Sequence, residues 1–251
     1  MESYAAASQV YAAGLIFARV GAIVMLLPGF GDTSVPPRIR LSFAFLMALM
    51  LMPVVAKGMP VPGDVSGVAG AVVKELMIGL MIGAILRMLL SSLATAGEII
   101  SIQTTLSFAQ TAAPGQAQPS TTLGTFLGLI GITLIMATDL HHMFLAAIVK
   151  SYSIFPFSRP IQISDGAQLA IQTVAGSFRL GLQLAAPVVV FSVIFNVAAG
   201  LVGRVMPQFQ VFFVVTPLIV LLGLSIFALS LGVIGMVWLN RYRELVSQFL
   251  G

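Results

Sequence analysis

An all-α integral membrane protein is the fold class this sequence predicts, and three observations predict it. Of 251 residues, 59% are apolar and 8% are charged, whereas a soluble domain carries about 25% charge. The mean hydropathy is +1.07. The few charges also avoid long tracts: residues 99–138, 180–203 and 205–240 contain no Asp, Glu, Lys or Arg. A membrane-crossing helix needs roughly 20 mainly apolar residues, so each tract supplies at least one.

Apolar runs and helix breakers predict about six long hydrophobic helices, arranged as helical hairpins, over about 10–27, 41–56, 76–100, 124–149, 180–203 and 209–238. No basic residue precedes Arg19 in the first, so the cationic start of a cleavable signal peptide is missing and the stretch reads as a retained span. The second is short, at 16 residues. The third and fourth carry Gly79-x-x-x-Gly83 and Gly124-x-x-x-Gly128, a spacing that lets helix backbones approach closely. The last, at 30 residues, would be about 45 Å long. That exceeds a hydrocarbon core of roughly 30 Å, so it tilts, kinks at Pro217 or stands clear of the bilayer. Pro28, Pro53, Pro156 and Pro207 fall at helix ends, where a missing N–H does least harm.

Cytoplasmic loops of membrane proteins are enriched in Lys and Arg. With the N-terminus inside, the inner side holds Lys57, Lys74, Lys150, Arg159, Arg179, Arg241 and Arg243, against Arg38, Arg40 and Arg204 outside. Both termini are therefore expected inside. The longest loops, 57–75, 101–123 and 150–179, are too short to fold alone, which leaves a single membrane domain over 1–251.

The same composition excludes several functions. With no cysteine, disulfides, thiolate nucleophiles and Cys metal sites are absent. The formal charge of +4 is spread without a basic run, so nucleic acid is not a partner, whereas membrane lipid is. No nucleophile–base motif, phosphate-cradling glycine loop or zinc-ligand spacing occurs, so neither an enzyme nor a cofactor is expected.

Three groups of residues remain. Asp139, His141 and His142 are the one titratable cluster. Carboxylate–histidine pairs relay protons or bind metal, but adjacent histidines on a helix point about 100° apart and His-x-x-x-His is the better ligand pair. The cluster therefore reads first as a polar helix end. Arg19, Arg87 and Glu98 lie inside apolar stretches. A charge in lipid costs at least about 2.5–3.5 kcal/mol, so these side chains face protein or water. They pair within a bundle or with another subunit, or they line an ion path. Finally, residues 103–119 form an uncharged stretch rich in amides and hydroxyls between two spans. It is either an ordinary loop or backbone buried at membrane depth around a watery cavity.

Arg19-Val-Gly-Ala-Ile-Val-Met-Leu-Leu-Pro28-Gly-Phe-Gly31, with Val35-Pro36-Pro37-Arg38 and Pro53, resembles the opening of the flagellar biosynthetic protein FliR family. Lys74-Glu75-Leu-Met-Ile-Gly79-Leu-Met-Ile-Gly83 fits the same family, as does Gly97-Glu98-Ile-Ile-Ser-Ile-Gln103 continuing to Leu106-Ser107-Phe108-Ala109 and Pro114. Gly200-Leu-Val-Gly203-Arg204-Val-Met-Pro207-Gln208-Phe-Gln-Val-Phe212 and Pro217-Leu218 complete a match over nearly the whole chain.

The resemblance implies a subunit of the flagellar type III protein export gate in the bacterial inner membrane, at the flagellar basal body. It implies a hetero-oligomeric channel with FliP and FliQ, FlhB and FlhA as neighbours, and unfolded flagellar proteins as export substrates. It also implies a FliP-like part over about 1–179 and a FliQ-like hairpin with a short tail over about 180–251. Residues 103–119 match the family segment that plugs the closed channel, with Phe108 as apolar stopper, Gln103, Gln110 and Gln116 as polar lining, and Leu106 and Pro114 in the same segment. Thr105 stands where the family commonly has Gly, which counts against a required backbone bend there. Arg19, Arg38, Glu75, Arg87, Glu98, Arg204 and Gln208 are the residues expected to pair inside the bundle or across subunits. Two other readings remain open. One is the homologous subunit of a virulence injectisome. The other is a proton-coupled secondary transporter using Asp139, His141, Arg87 and Glu98.

Overall fold

A computed structural model of the protein describes residues 2–32, 34–56, 59, 64–107, 121–158, 163–206 and 211–250. Among them lie seven helices and no strand: α1 (Glu2–Leu26), α2 (Pro37–Val55), α3 (Val65–Gln103), α4 (Thr122–Ala137), α5 (Leu140–Ile154), α6 (Ile163–Val205) and α7 (Val211–Leu250). Five are long and apolar enough to cross a membrane, or six spans if α4 and α5 count as one broken span. The protein is an all-α integral membrane protein.

Helix ends follow local chemistry. Pro36 precedes α2 and Pro37 opens it, a position where proline's fixed φ suits the first turn. The carboxylate of Asp64 accepts from the Gly67 amide and the Ser66 hydroxyl, capping the start of α3 and holding its own carboxyl below the ordinary carboxylate range. The Thr121 hydroxyl accepts from the Gly124 amide at 3.1 Å and caps α4.

Several helices outrun the sequence-based boundaries. α3 covers 39 residues, α6 43 and α7 40, or about 58, 64 and 60 Å at 1.5 Å per residue. Apolar windows mark only the part of a helix that lipid would accept, and these helices continue through polar flanks. Consequently Lys74, Lys150, Arg179, Arg241 and Arg243, expected in inner loops, lie inside helices, as do Arg38, Arg40 and Arg204 from the outer set. Lys57, Arg159 and Pro207 lie outside the described residues. Pro53 is within α2 rather than at its end, and α6 and α7 run on through Pro187 and Pro217. The stretch expected as one helix over 124–149 is broken at Thr138–Asp139, where Asp139 adopts φ 57°. The polar run Thr138-Asp139-Leu140-His141-His142 marks the place, but a short polar dip does not by itself distinguish a break from a continuous helix.

The chain forms two compact units. The first comprises Met1–Leu89, Asp139–Val174 and Arg243–Gly251. Here α1 packs on α2, with Phe17 and Phe45 edge to face at 6.1 Å. The start of α3 packs on α1 through glycines. A Cβ at Gly79 would come within 2.5 Å of the Arg19 carbonyl oxygen, and one at Gly83 within 2.8 Å of Leu26 Cβ. Ile16, Val20 and Ile23 from α1, Ile78 and Ile82 from α3, and Phe144 and Ile148 from α5 fill the core.

The second unit comprises Leu90–Thr138 and Ala175–Tyr242. Gly97 and Gly124 bring α3 and α4 into backbone contact, since a Cβ at Gly97 would sit 2.5 Å from Gly124 Cα. Gly128, four residues on, has nothing within 4 Å of the corresponding point among the described residues, so among these the first glycine of that spacing makes the close contact. Trp238 and Tyr242 of α7 are fully buried, with Trp238 Cη2 near Gly131.

Candidate functional site

The end of α3, where the uncharged stretch begins, is tied down within the second unit. Gln103 is the last residue of α3. The buried Ser192 hydroxyl of α6 donates to Gln103 Oε1 at 2.8 Å, with the Gln103 carbonyl oxygen at 3.3 Å, and accepts from Asn196 Nδ2 at 3.2 Å. Thr104 is fully buried, its hydroxyl bonded to the Ile100 carbonyl at 2.9 Å. It packs so closely on α7 that a Cβ at Gly223 would meet Thr104 Cγ2 at 2.6 Å.

The chain then turns. Thr105 has φ 59°, the left-handed region that a β-branched side chain adopts only under strain. The absence of glycine here was expected to argue against a bend; the bend is present, carried by Thr105. Leu106 follows, half-buried and helical. Phe108, Gln110, Pro114 and Gln116 lie outside the described residues, as does Gln208.

The charged residues divide into three situations. Arg19 and Glu75 meet in the first unit, both essentially inaccessible, with Arg19 Nε 2.5 Å from Glu75 Oε2. Both terminal nitrogens bond as well: one reaches the Ser151 carbonyl at 3.1 Å and the other the Phe155 carbonyl at 2.8 Å. The guanidinium carbon lies 4.1 Å from the centre of the Tyr152 ring. Beside it, Lys74 Nζ donates to the Pro156 and Phe157 carbonyls at 3.2 and 2.9 Å. Two cations thus hold three consecutive carbonyls just past the end of α5, where a helix end presents partial negative charge.

Arg87 lies 3.6 Å from Asp32, both partly exposed, a contact of the weak surface kind. Arg38 and Arg204 are exposed at opposite ends of their helices, in the first turn of α2 and the last turn of α6. Glu98 is half-buried on α3, and no hydrogen bond or ion pair to it is found among the described residues.

Asp139, His141 and His142 differ from the expected divergence. Their ligand atoms lie within 4.8 Å of one another, although His141 and His142 are neighbours on the same helix. Asp139 and His142 are largely exposed, not the buried relay a transporter would use.

Sequence reasoning missed Asp32, Ser151, Tyr152, Ser192 and Asn196. Arg19, Arg87 and Glu98 signalled themselves as charges inside apolar runs, and Glu75 only through the family resemblance. Neutral hydroxyls and rings carry no such signal.

Comparison with known proteins decides the family. The chain matches the family described as "Bacterial export proteins, family 1" over residues 10–245. It is 61% identical over 250 residues, 99% of this chain and 100% of the other, to the flagellar biosynthetic protein FliR of Caulobacter vibrioides. The chain belongs to the FliR family. Its FliR relatives in Aquifex aeolicus and Escherichia coli are 29% and 28% identical, over 94% and 91% of this chain and 91% and 87% of theirs. A membrane-embedded role in flagellar export follows from this membership, structural or transport in kind.

Proposed function

We propose that this protein is a structural subunit of the flagellar type III export gate, assembling with FliP and FliQ, and with FlhB and FlhA nearby, around a conduit for unfolded flagellar proteins. Its place is the bacterial inner membrane within the basal body. Residues 103–119 plug the closed conduit, with Gln103 and Leu106 at the root of the plug and Phe108, Gln110, Pro114 and Gln116 within it.

The observation that carries this reading is the extent of uncovered apolar helix. Only 17% of the apolar window of α6 and 22% of that of α7 is buried within the chain, against 50% for α1 and α3. These candidate spans run 38 and 35 residues, about 57 and 52 Å, whereas lipid covers a core of roughly 30 Å. Exposed Val193, Ile194, Val197 and Leu201 on α6, and Leu221, Leu229, Val233 and Met236 on α7, therefore need protein to cover part of their length. Other helical subunits supply it. Arg38, Glu98 and Arg204 are the groups left for pairing across those contacts.

Native mass spectrometry of the tagged protein, purified in mild detergent from cells co-expressing its genomic neighbours, tests the assembly. One copy of this chain with several copies of small membrane proteins is the expected result. A stable monomer or homodimer that takes no partners would sink the reading. Deleting 103–119 then tests the plug: ion leak should rise in cells that retain the assembled complex.

A further inference from the structure

We propose that Asp139, His141 and His142 at the start of α5 bind a transition-metal dication of the Zn2+ class, a property separate from the export role. Each side chain offers one ligand atom, and the three atoms lie within 4.8 Å of one another. The Asp139 Oδ1 to His142 Nδ1 separation is 3.7 Å, and the two imidazole centres are 4.1 Å apart. Zinc bonded at about 2.0–2.1 Å in tetrahedral geometry sets its ligands about 3.4 Å apart. The donors are thus roughly 1.4 Å or less from ligating distance. Asp139 and His142 are 77% and 68% exposed in their side chains, so rotation closes that gap against water rather than against packing.

Two further observations separate this cluster from an ordinary polar helix end. Asp139 occupies the N-cap of α5 but its carboxylate makes no capping bond. It does so at φ 57°, which re-aims its side chain relative to a continuing helix. His141 Nδ1 is enclosed with no hydrogen-bond partner among the described residues, and a buried unsatisfied polar atom costs about 1–3 kcal/mol. Ordering of the site around a metal gives that ring a second partner to orient it.

Two imidazoles and one carboxylate suit zinc, copper or nickel, whereas magnesium and calcium prefer all-oxygen sets. Three protein ligands leave one coordination position for water. The α5 dipole presents its positive end here and opposes a cation. The Asp139 carboxylate offsets it, so neutralising Asp139 weakens binding for two reasons.

The test uses the full chain in its native detergent-purified assembly, carrying no polyhistidine tag and stripped with chelator. Zinc titration by calorimetry should give one site per copy of this chain, weakened at least about tenfold in Asp139→Asn and in His142→Ala. Unchanged affinity in a His141→Ala/His142→Ala double variant, or no saturable binding by the wild type, overturns the proposal. Should the variants fail to assemble, Cu2+ electron paramagnetic resonance of the wild type decides. Hyperfine structure from two imidazole nitrogens is expected, and a spectrum without nitrogen coupling refutes the site.

Discussion

Replacing Arg19 by Met is the perturbation whose consequences the structure defines best. Arg19 is 0% accessible and Glu75 1%. Removing the guanidinium strands the Glu75 carboxylate and leaves the Ser151 and Phe155 carbonyls without these donors. Breaking one side of a buried pair costs about 3–5 kcal/mol, and the lost stacking on Tyr152 adds to this. Replacing Glu75 by Met alone should cost a similar amount, by stranding the guanidinium instead. The double replacement removes both charges, and apolar substitutes of similar volume are often neutral or better than a buried pair. The double variant should therefore be more stable than either single one, a departure from additivity of at least about 2–3 kcal/mol. The assay is equilibrium unfolding in mixed detergent–SDS micelles, followed by circular dichroism on all four members of the cycle. Single variants within about 1 kcal/mol of wild type, or an additive cycle, would refute the idea that this pair organises the first unit.

Other expectations follow from the same geometry. Gly97→Ala should destabilise by about 1–3 kcal/mol, because its Cβ meets Gly124 backbone that cannot move aside, whereas Gly128→Ala should leave the isolated chain unchanged or slightly stabilised; thermal unfolding of both compares them directly. If Gly128→Ala instead blocks complex formation on native gels, that face of α4 packs against another subunit. Thr105→Gly should raise stability by roughly 1 kcal/mol through release of left-handed strain, measured by the same micelle titration. Asp64→Ala should speed amide exchange over 65–69 at neutral pH. Because the folded carboxyl titrates below its unfolded value, its contribution is present above the ordinary carboxylate range and disappears as pH falls through the lowered value. The exchange difference between variant and wild type should vanish with it.

The membrane fold was legible because apolar tracts of such length have few other outcomes, and the approximate centres of the helices follow from them. Their ends were not. Lys74 and Arg179 look like loop residues by hydropathy, yet each sits in a helix whose backbone bonds continue regardless of side-chain polarity. The bend at Thr105 was misjudged for a related reason: the bonds holding Gln103 and the burial of Thr104 set the backbone, and the side chain at 105 tolerates it. The division of α4 from α5 rests on one backbone dihedral at Asp139, which no periodicity encodes. Resemblance carried the family correctly, while the partners within the chain, such as Glu75 for Arg19, had to be seen in three dimensions.

The cage around Arg19 also imposes a timetable on synthesis. Glu75 lies 56 residues downstream and the Ser151 carbonyl 132. At roughly 5–20 residues per second of translation, the compensating carboxylate emerges some 3–11 s after the arginine, and the α5 carbonyls only after about 7–26 s. During the first interval α1 carries an arginine whose insertion alone is costly. During the second, it is a neutral pair with donors still to satisfy. An insertion factor that shields α1 until α3 arrives would therefore matter more for this protein than for one whose first span is wholly apolar.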